Sequence, residues 1–334
     1  MRAGENCAAA KTRKRSHPSP FPAPMIISIL LGKQIAAMLL MVLMGFAVVR
    51  LRILKAEDSR VLAALSLYVI SPCMILDAFQ VDFSPEIFRG ILAALGSAAV
   101  TVGAAIAMAM LLRRPLKLDE VEQASAIYSN GANLIIPIVS YVFGREWVIY
   151  TSSFIIVQVI LFWTHCTTLL RKDAGISIKK ILLNINIVSI MAGMVLFCSG
   201  LRFPEVPALA MHAVGDMIGP MAMLVTGMLI GATEFRHVLA YKRTPMIIAL
   251  RLIVFPLAGL AAIKICGLAD CVENGRTIML ISFFAASAPC ASTVVQMSYL
   301  YGRDGLYASI INLTSTLLCV FSMPVLAWIF QWAV

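Results

Sequence analysis

The chain has 334 residues, of which 60% are hydrophobic and only 13% charged, and its mean hydropathy is +0.91. A water-soluble domain carries roughly 45–50% apolar and about 25% charged residues, so this composition excludes a soluble fold and leaves lipid to cover part of the surface. The formal net charge of +10 is spread in short clusters between apolar runs, not gathered on one basic face with interleaved aromatics, and that argues against nucleic acid as a partner.

Residues 1–24, MRAGENCAAAKTRKRSHPSPFPAP, are basic and proline-rich and read as a disordered tail. The apolar stretch from Met25 to Val49 is too long for the core of a signal peptide, and no cleavage site follows it. The segment is therefore either a real tail or the product of a start assigned too early, with Met25 the true initiator.

A spanning helix needs about 20 largely apolar residues. Ten stretches meet this, near 26–49, 60–79, 88–112, 122–143, 147–170, 178–199, 208–231, 244–266, 276–300 and 305–332. Short connections leave no room for an inserted soluble domain. The first five stretches make a unit over 25–170 and the second five a unit over 178–334, so the expected fold is all-α, polytopic and ten-spanning.

Lysine and arginine orient it. Arg50, Arg52, Lys55 and Arg60 lie between spans one and two, and Arg113, Arg114 and Lys117 between three and four. Arg171, Lys172, Lys179 and Lys180 lie between five and six. Arg236, Lys242 and Arg243 lie between seven and eight, and Arg303 between nine and ten. The other side holds Arg89, Arg145, Arg202, Lys264 and Arg276. The richer side belongs in the cytoplasm, which puts both termini outside. Arg2, Lys11, Arg13, Lys14 and Arg15 of the tail conflict with that, and a start at Met25 removes the conflict.

The segment Ser140–Glu146, SYVFGRE, returns as Ser298–Asp304, SYLYGRD, at an offset of 158. Pro72 in LYVISPCMIL matches Pro220 in GDMIGPMAML at an offset of 148, the difference falling in longer connections of the second half. Because each half has an odd number of spans, the halves insert with opposite orientation, as inverted repeats do in many secondary transporters.

Spans four and nine carry helix breakers. Span four holds Asn130, Gly131, Asn133 and Pro137, with Gly131 and Pro137 expected to interrupt it. Span nine holds Ser287, Pro289 and Ser292, with Pro289 opposite Gly131 at the repeat offset. Proline removes a backbone donor and glycine lets the chain leave helical geometry. Unwound backbone survives at membrane depth only where protein buries it or it lines a wet cavity. Paired breaks in two halves point to a transport site, and the half-helix amino ends there suit an anion. The plainer account is two proline-kinked helices with asparagine bridging neighbours.

Two ionisable residues lie inside spans: Asp216 in HAVGDMIGP and Arg251 in IIALRLIVFP. Such charges are costly and usually mark a pathway or a buried pair. Arg251 is a candidate to neutralise an anionic substrate or to pair with Asp216, and Asp216 a candidate carrier of a coupling proton. Snorkelling to an interface is the alternative for both. Asp77, Lys33, His165 and His212 read as span-end or structural residues. In span seven, Gly215-x-x-x-Gly219 and Gly227-x-x-x-Gly231 suggest a packing or dimer face. The eight cysteines form no C-x-x-C and no metal spacing; Cys266 and Cys271 flank one loop and read as free thiols unless that loop faces an oxidising side. No cofactor is indicated. Without a P-loop or converging catalytic groups, neither ATP drive nor an enzyme is expected.

Four segments carry a family resemblance: VLMGFAVVRLRILKAEDSRVLAALSLYVISPCMIL, SNGANLIIPIV, ALRLIVFP, and the run from APCAS through YLYGRDGLYASIINLTSTLLCVFSMPVL. In order and spacing the chain resembles the auxin efflux carrier family, which includes the plant PIN exporters and bacterial permeases for malate or malonate. Ser129, Asn130 and Pro137 fit the bacterial pattern S-N-T-G-F-L-G-I-P, whereas Asn133 stands for an aromatic and Ile135 for a glycine. The resemblance implies ten spans, with the fourth and ninth crossing at unwound prolines. It also implies a scaffold of spans one, two, six and seven that often forms a homodimer, elevator-like movement of the rest, and small organic anions as substrates. Asn130 becomes the leading ligand for a substrate carboxylate. The expected protein is thus a multi-pass carrier of the bacterial inner membrane, driven by protons or membrane potential. A sodium-coupled carrier of the bile-acid symporter type and a non-transporting receptor are the alternatives.

Overall fold

The computed structural model describes residues 24–171, 179, 182–232 and 241–334. The tail charges and Lys172, Lys180 and Arg236 lie outside the described residues, as does the side chain of Asn133.

The described chain is helical throughout, and its single β-type pairing is an isolated bridge. Helix α1 spans Pro24–Arg50. Helices α2 (Ser59–Leu65) and α3 (Ser71–Ala78) join through a π turn at Ser66–Ile70. Helix α4 (Pro85–Arg113) starts sharply because Ser84 Oγ accepts the Ile87 N–H at 3.1 Å and Pro85 fills the first helical position, where no donor is needed. Helices α5 (Glu120–Ile127) and α6 (Gly131–Val142) are two pieces of one interrupted rod. A reciprocal cap, with Asp119 Oδ1 on the Glu122 N–H at 2.7 Å and Glu122 Oε2 on the Asp119 N–H at 3.0 Å, starts α5.

Helix α7 (Val148–Leu161) runs through a π turn into α8 (Thr167–Leu170). Helix α9 (Ile185–Ser199) ends on Gly200, whose φ of 69° closes it in the left-handed region that glycine enters at little cost. Helices α10 (Glu205–Gly215) and α11 (Ile218–Ala232) meet at a kink at Asp216–Met217. Helices α12 (Thr244–Ala249) and α13 (Phe255–Cys266) flank a π turn that carries Arg251. Helices α14 (Gly275–Ser287) and α15 (Ser292–Leu300) are a second interrupted rod. Helix α16 (Gly305–Ala333) closes the chain, capped by Asp304 on the Tyr307 N–H at 2.8 Å.

Six of these rods are long and apolar enough to cross a membrane: Val61–Ala78, Pro85–Arg113, Arg145–Leu170, Glu205–Gly231, Thr244–Cys266 and Gly305–Ala333. Shorter apolar helices cover Ala36–Arg50, Ile185–Ser199 and Gly275–Ser287.

The helices pack as two groups. Helices α1, α2, α3, α9, α10 and α11 form one, and α4–α8 with α12–α16 form the other. Within the first group α1 lies directly on α11: a Cβ on Gly45 would overlap the Leu224 carbonyl, and one on Gly227 the Val42 carbonyl. The Gly227–Gly231 face is therefore used inside the chain. Cys266 and Cys271 are free, exposed thiols. Phe283, Phe284 and Ile135, on helices that border the two interruptions, are among the most deeply buried side chains of the second group.

Candidate functional site: the crossing of two broken helices

The first interruption begins where Tyr128 turns extended (φ −93°, ψ 129°), and Asn130 (φ −84°, ψ 47°) stands at the start of α6. The second begins at Ala288 (φ −62°, ψ 157°), where the following Pro289 disfavours helical geometry, and ends at Ala291 (φ −69°, ψ 133°). The two unwound stretches pair antiparallel. Asn130 N–H donates to the Pro289 carbonyl at 2.8 Å, and Ala291 N–H to the Tyr128 carbonyl at 3.0 Å, with Ser129 facing Cys290.

Two details correct the sequence reading. The interruption of span four lies before Gly131, and α6 continues through Pro137 to Val142. Pro137 does not break it, because the flanking turns carry the helix past one missing donor. The register also differs: Ser129 faces Cys290, three residues beyond the offset of 158. Helix α15 is correspondingly three residues shorter than α6, which brings the two SY-x-x-GR turns back into step.

Side chains complete the hydrogen bonding of both breaks. From α7, Gln158 accepts the Ser129 hydroxyl at 2.9 Å and donates its amide to the Ser129 carbonyl. From α16, Asn312 Nδ2 donates to the Cys290 carbonyl at 2.6 Å, and Ser315 Oγ accepts the Cys290 N–H at 3.1 Å. Each break is thus held by the span that follows it. None of these three residues stands out in the sequence; a polar residue one span after each breaker is the signal that was there to use.

Arg251 is the largest fully buried side chain, 1% exposed. It spends its donors on the carboxyl ends of the first half-helices. Nη1 donates to Ala126 O (3.0 Å) and Ile127 O (3.1 Å) of α5. Nη2 donates to Ala286 O and Ala288 O (both 2.6 Å), and Nε to Ala288 O (2.9 Å), at the end of α14. A cation against two negative helix ends is the favourable arrangement, and it leaves the amino ends of α6 and α15 as the positive poles of the crossing.

The family model described as a membrane transport protein, the transport domain of the auxin efflux carriers, matches residues 30–179 and again 169–327. The chain belongs to that family. A comparison with curated proteins gives no match. Family membership makes it a membrane transporter and a multi-pass membrane protein.

Within this transporter the candidate residues fall in two places. Asn130, Gly131, Ser287, Pro289 and Ser292 lie at the crossing. Asn130 and Ser292 are half-buried, Gly131 and Pro289 buried, and the Ser287 hydroxyl donates to Phe283 O at 2.7 Å within its own helix. Pro137 and Asp216 lie lower on α6 and at the α10–α11 kink. Both line a cavity of about 310 Å³ between the helix groups, with Met38, Met74, Ser140 and Tyr141. Asp216 pairs with Arg145, not with Arg251, and Arg145 Nη1 also donates to Asp77 Oδ2 at 2.7 Å. His212 Nδ1 lies 3.1 Å from the same Asp77 oxygen.

Proposed function

We propose that this transporter is a secondary carrier of small organic anions, carboxylates in particular, working without ATP under a proton gradient or the membrane potential. The supporting observation is the polarity of the crossing. Arg251 offsets both negative half-helix ends, and the positive amino ends of α6 and α15 converge beside the paired backbone. A substrate carboxylate would sit against those amino ends with Asn130 donating to it, so that the side chain touching the substrate is a neutral amide.

In the same reading the helices form ten spans as two inverted five-span repeats, with both termini on the periplasmic side of the inner membrane. The group containing α1 and α11 serves as a scaffold, and the group containing the crossing moves past it to alternate access. Coupling through Asp216 belongs to this reading as well.

The test is counterflow of a panel of labelled mono- and dicarboxylates into liposomes holding purified protein. Flux of at least one is expected. Asn130→Ala should weaken its binding by about 1.5–3 kcal/mol, the loss of one hydrogen bond to a charged partner, while expression stays normal. Asn130→Asp should be worse, since it sets like charges together. No flux across the panel would sink the carrier reading, and unchanged affinity in both variants would remove Asn130 from the site.

A further inference from the structure

Taking the chain as an anion carrier, we propose that Arg145 is a second carboxylate-binding site, at the cavity between the helix groups, and that Asp216 holds it as an internal carboxylate until a substrate carboxylate takes its place. The repeated turn is the starting point. In the second copy, Arg303 Nε donates to Leu170 O at 2.8 Å and Nη1 lies 3.8 Å from Glu120 Oε2. Both of those partners belong to the same helix group as the turn. In the first copy, Arg145 leaves its own group and reaches Asp77 on α3 and Asp216 at the α10–α11 kink. The same local sequence therefore ties the two groups together at one end only.

The two carboxylates on Arg145 are unequal. Asp77 is 16% exposed, whereas Asp216 is 55% exposed and lines the cavity. An exposed ion pair contributes little, and a carboxylate arriving through the cavity offers Arg145 the same bond that Asp216 makes. The exchange replaces one carboxylate–guanidinium contact by another, and it releases the bond between the helix groups at the moment the substrate arrives. With two carboxylates and the His212 ring around one guanidinium, a monocarboxylate is favoured over a dicarboxylate, because a second negative charge would add to those of Asp77 and Asp216.

Trp147 reports on the site. It lies in the same turn, with its ring 5.6 Å from Tyr150 and 6.3 Å from Phe143. Butyrate, succinate and uncharged butyramide are titrated into purified protein, and the part of the emission change that disappears in Trp147→Phe is taken as the signal. Butyrate should give a saturable signal, succinate a weaker one and butyramide none. Asp216→Asn removes the competitor and should lower the butyrate Kd about twofold to fivefold; a misfolded variant could not produce that gain. Arg145→Gln should abolish the signal, and Asn130→Ala should keep it.

An unchanged or higher Kd in Asp216→Asn overturns the proposal. So does an equal response to butyramide, a signal that survives Arg145→Gln, a signal lost in Asn130→Ala, or no butyrate response at all. Absence of flux in liposomes with the Trp147 signal intact would sustain the Arg145 site and sink only the carrier reading.

Discussion

The Tyr128 carbonyl accepts the Ala291 backbone N–H at 3.0 Å, joining two helices whose interruptions lie far apart in the chain. Each unwound stretch supplies the hydrogen-bond partners that the other lacks, and the Asn130–Pro289 bond of 2.8 Å completes the exchange. Away from water an unsatisfied backbone group costs several kcal/mol. Neither interruption could persist if the other were repaired into a continuous helix.

Gln158 tests how much the first break depends on its neighbour. Gln158→Leu keeps the volume but removes both bonds to Ser129, orphaning a buried hydroxyl and a carbonyl at about 1–3 kcal/mol each. A clear fall in the detergent unfolding temperature is expected. Gln158→Glu keeps the acceptor, loses the amide donor and adds a buried charge, so it should not restore the parent value. A parent-like melt for Gln158→Leu would show that the backbone bridge suffices alone.

The contact between α1 and α11 gives a second test. A Cβ at Gly227 would overlap the Val42 carbonyl oxygen and come 2.9 Å from Gly45 Cα, with only backbone there to yield. Overpacking of this kind costs about 1–3 kcal/mol, so Gly227→Ala should lower thermal stability. Gly103, on α4, has nothing within 4 Å of an added Cβ. Gly103→Ala should be neutral or slightly stabilising, since alanine is favoured over glycine inside a helix by roughly 0.8–1.0 kcal/mol. Equal melting temperatures for the two variants would contradict the close approach.

Breaks in spans four and nine were legible because Pro289 and Gly131 are poor helix residues, although Gly131 itself begins α6. Their register was not. The offset of 158 comes from the SY-x-x-GR turns, and a shorter half-helix between break and turn is invisible to a one-letter alignment. The same limit applies to Pro137, whose composition reads as a breaker although α6 runs through it. Asp216 and Arg251 were recognisable as unusual, since charge inside an apolar run is conspicuous. Their partners were not, because those partners are backbone carbonyls in one case and Arg145, a residue of a turn, in the other. Asp77 reads as a span-end residue and His212 as a structural histidine, and they come together with Arg145 only through the packing of α3 against α10.

At the opposite end of the second helix group, Glu122 is 1% exposed and depends on Arg243, with Nε–Oε1 at 2.6 Å and Nη2–Oε2 at 2.9 Å, and on the Tyr307 hydroxyl at 3.1 Å. Hydrogen bonding to Glu122 holds the Arg243 guanidinium above its ordinary pKa. Arg243→Met would leave a buried carboxylate without its cation, at about 3–5 kcal/mol. Adding Glu122→Gln to that variant should recover part of the loss, because it removes the stranded charge. The measurement is thermal unfolding of parent, both singles and the double. No recovery in the double would mean that Arg243 acts mainly through its bonds to the Leu116 and Lys117 carbonyls.

Arg251 separates a structural from a transport role most directly. Its three nitrogens serve four carbonyls at the ends of α5 and α14, and no lysine can reproduce that fork, because an ammonium has three donors on one atom. Arg251→Met would orphan those carbonyls and remove the positive charge between two negative helix ends. We expect it to cost at least about 3–5 kcal/mol, the range for breaking a buried charged network, and to accumulate poorly as folded protein. Arg251→Lys keeps the charge and some of the bonds, and should melt between the two. If Arg251 instead served an anionic substrate or a coupling ion, both variants would fold like the parent and differ only in affinity or in response to the driving gradient. Unfolding temperature and monodisperse yield in detergent, read beside counterflow on whatever folds, therefore decide the matter: parent-like stability of Arg251→Met with altered transport would overturn the clamp and return Arg251 to the substrate path.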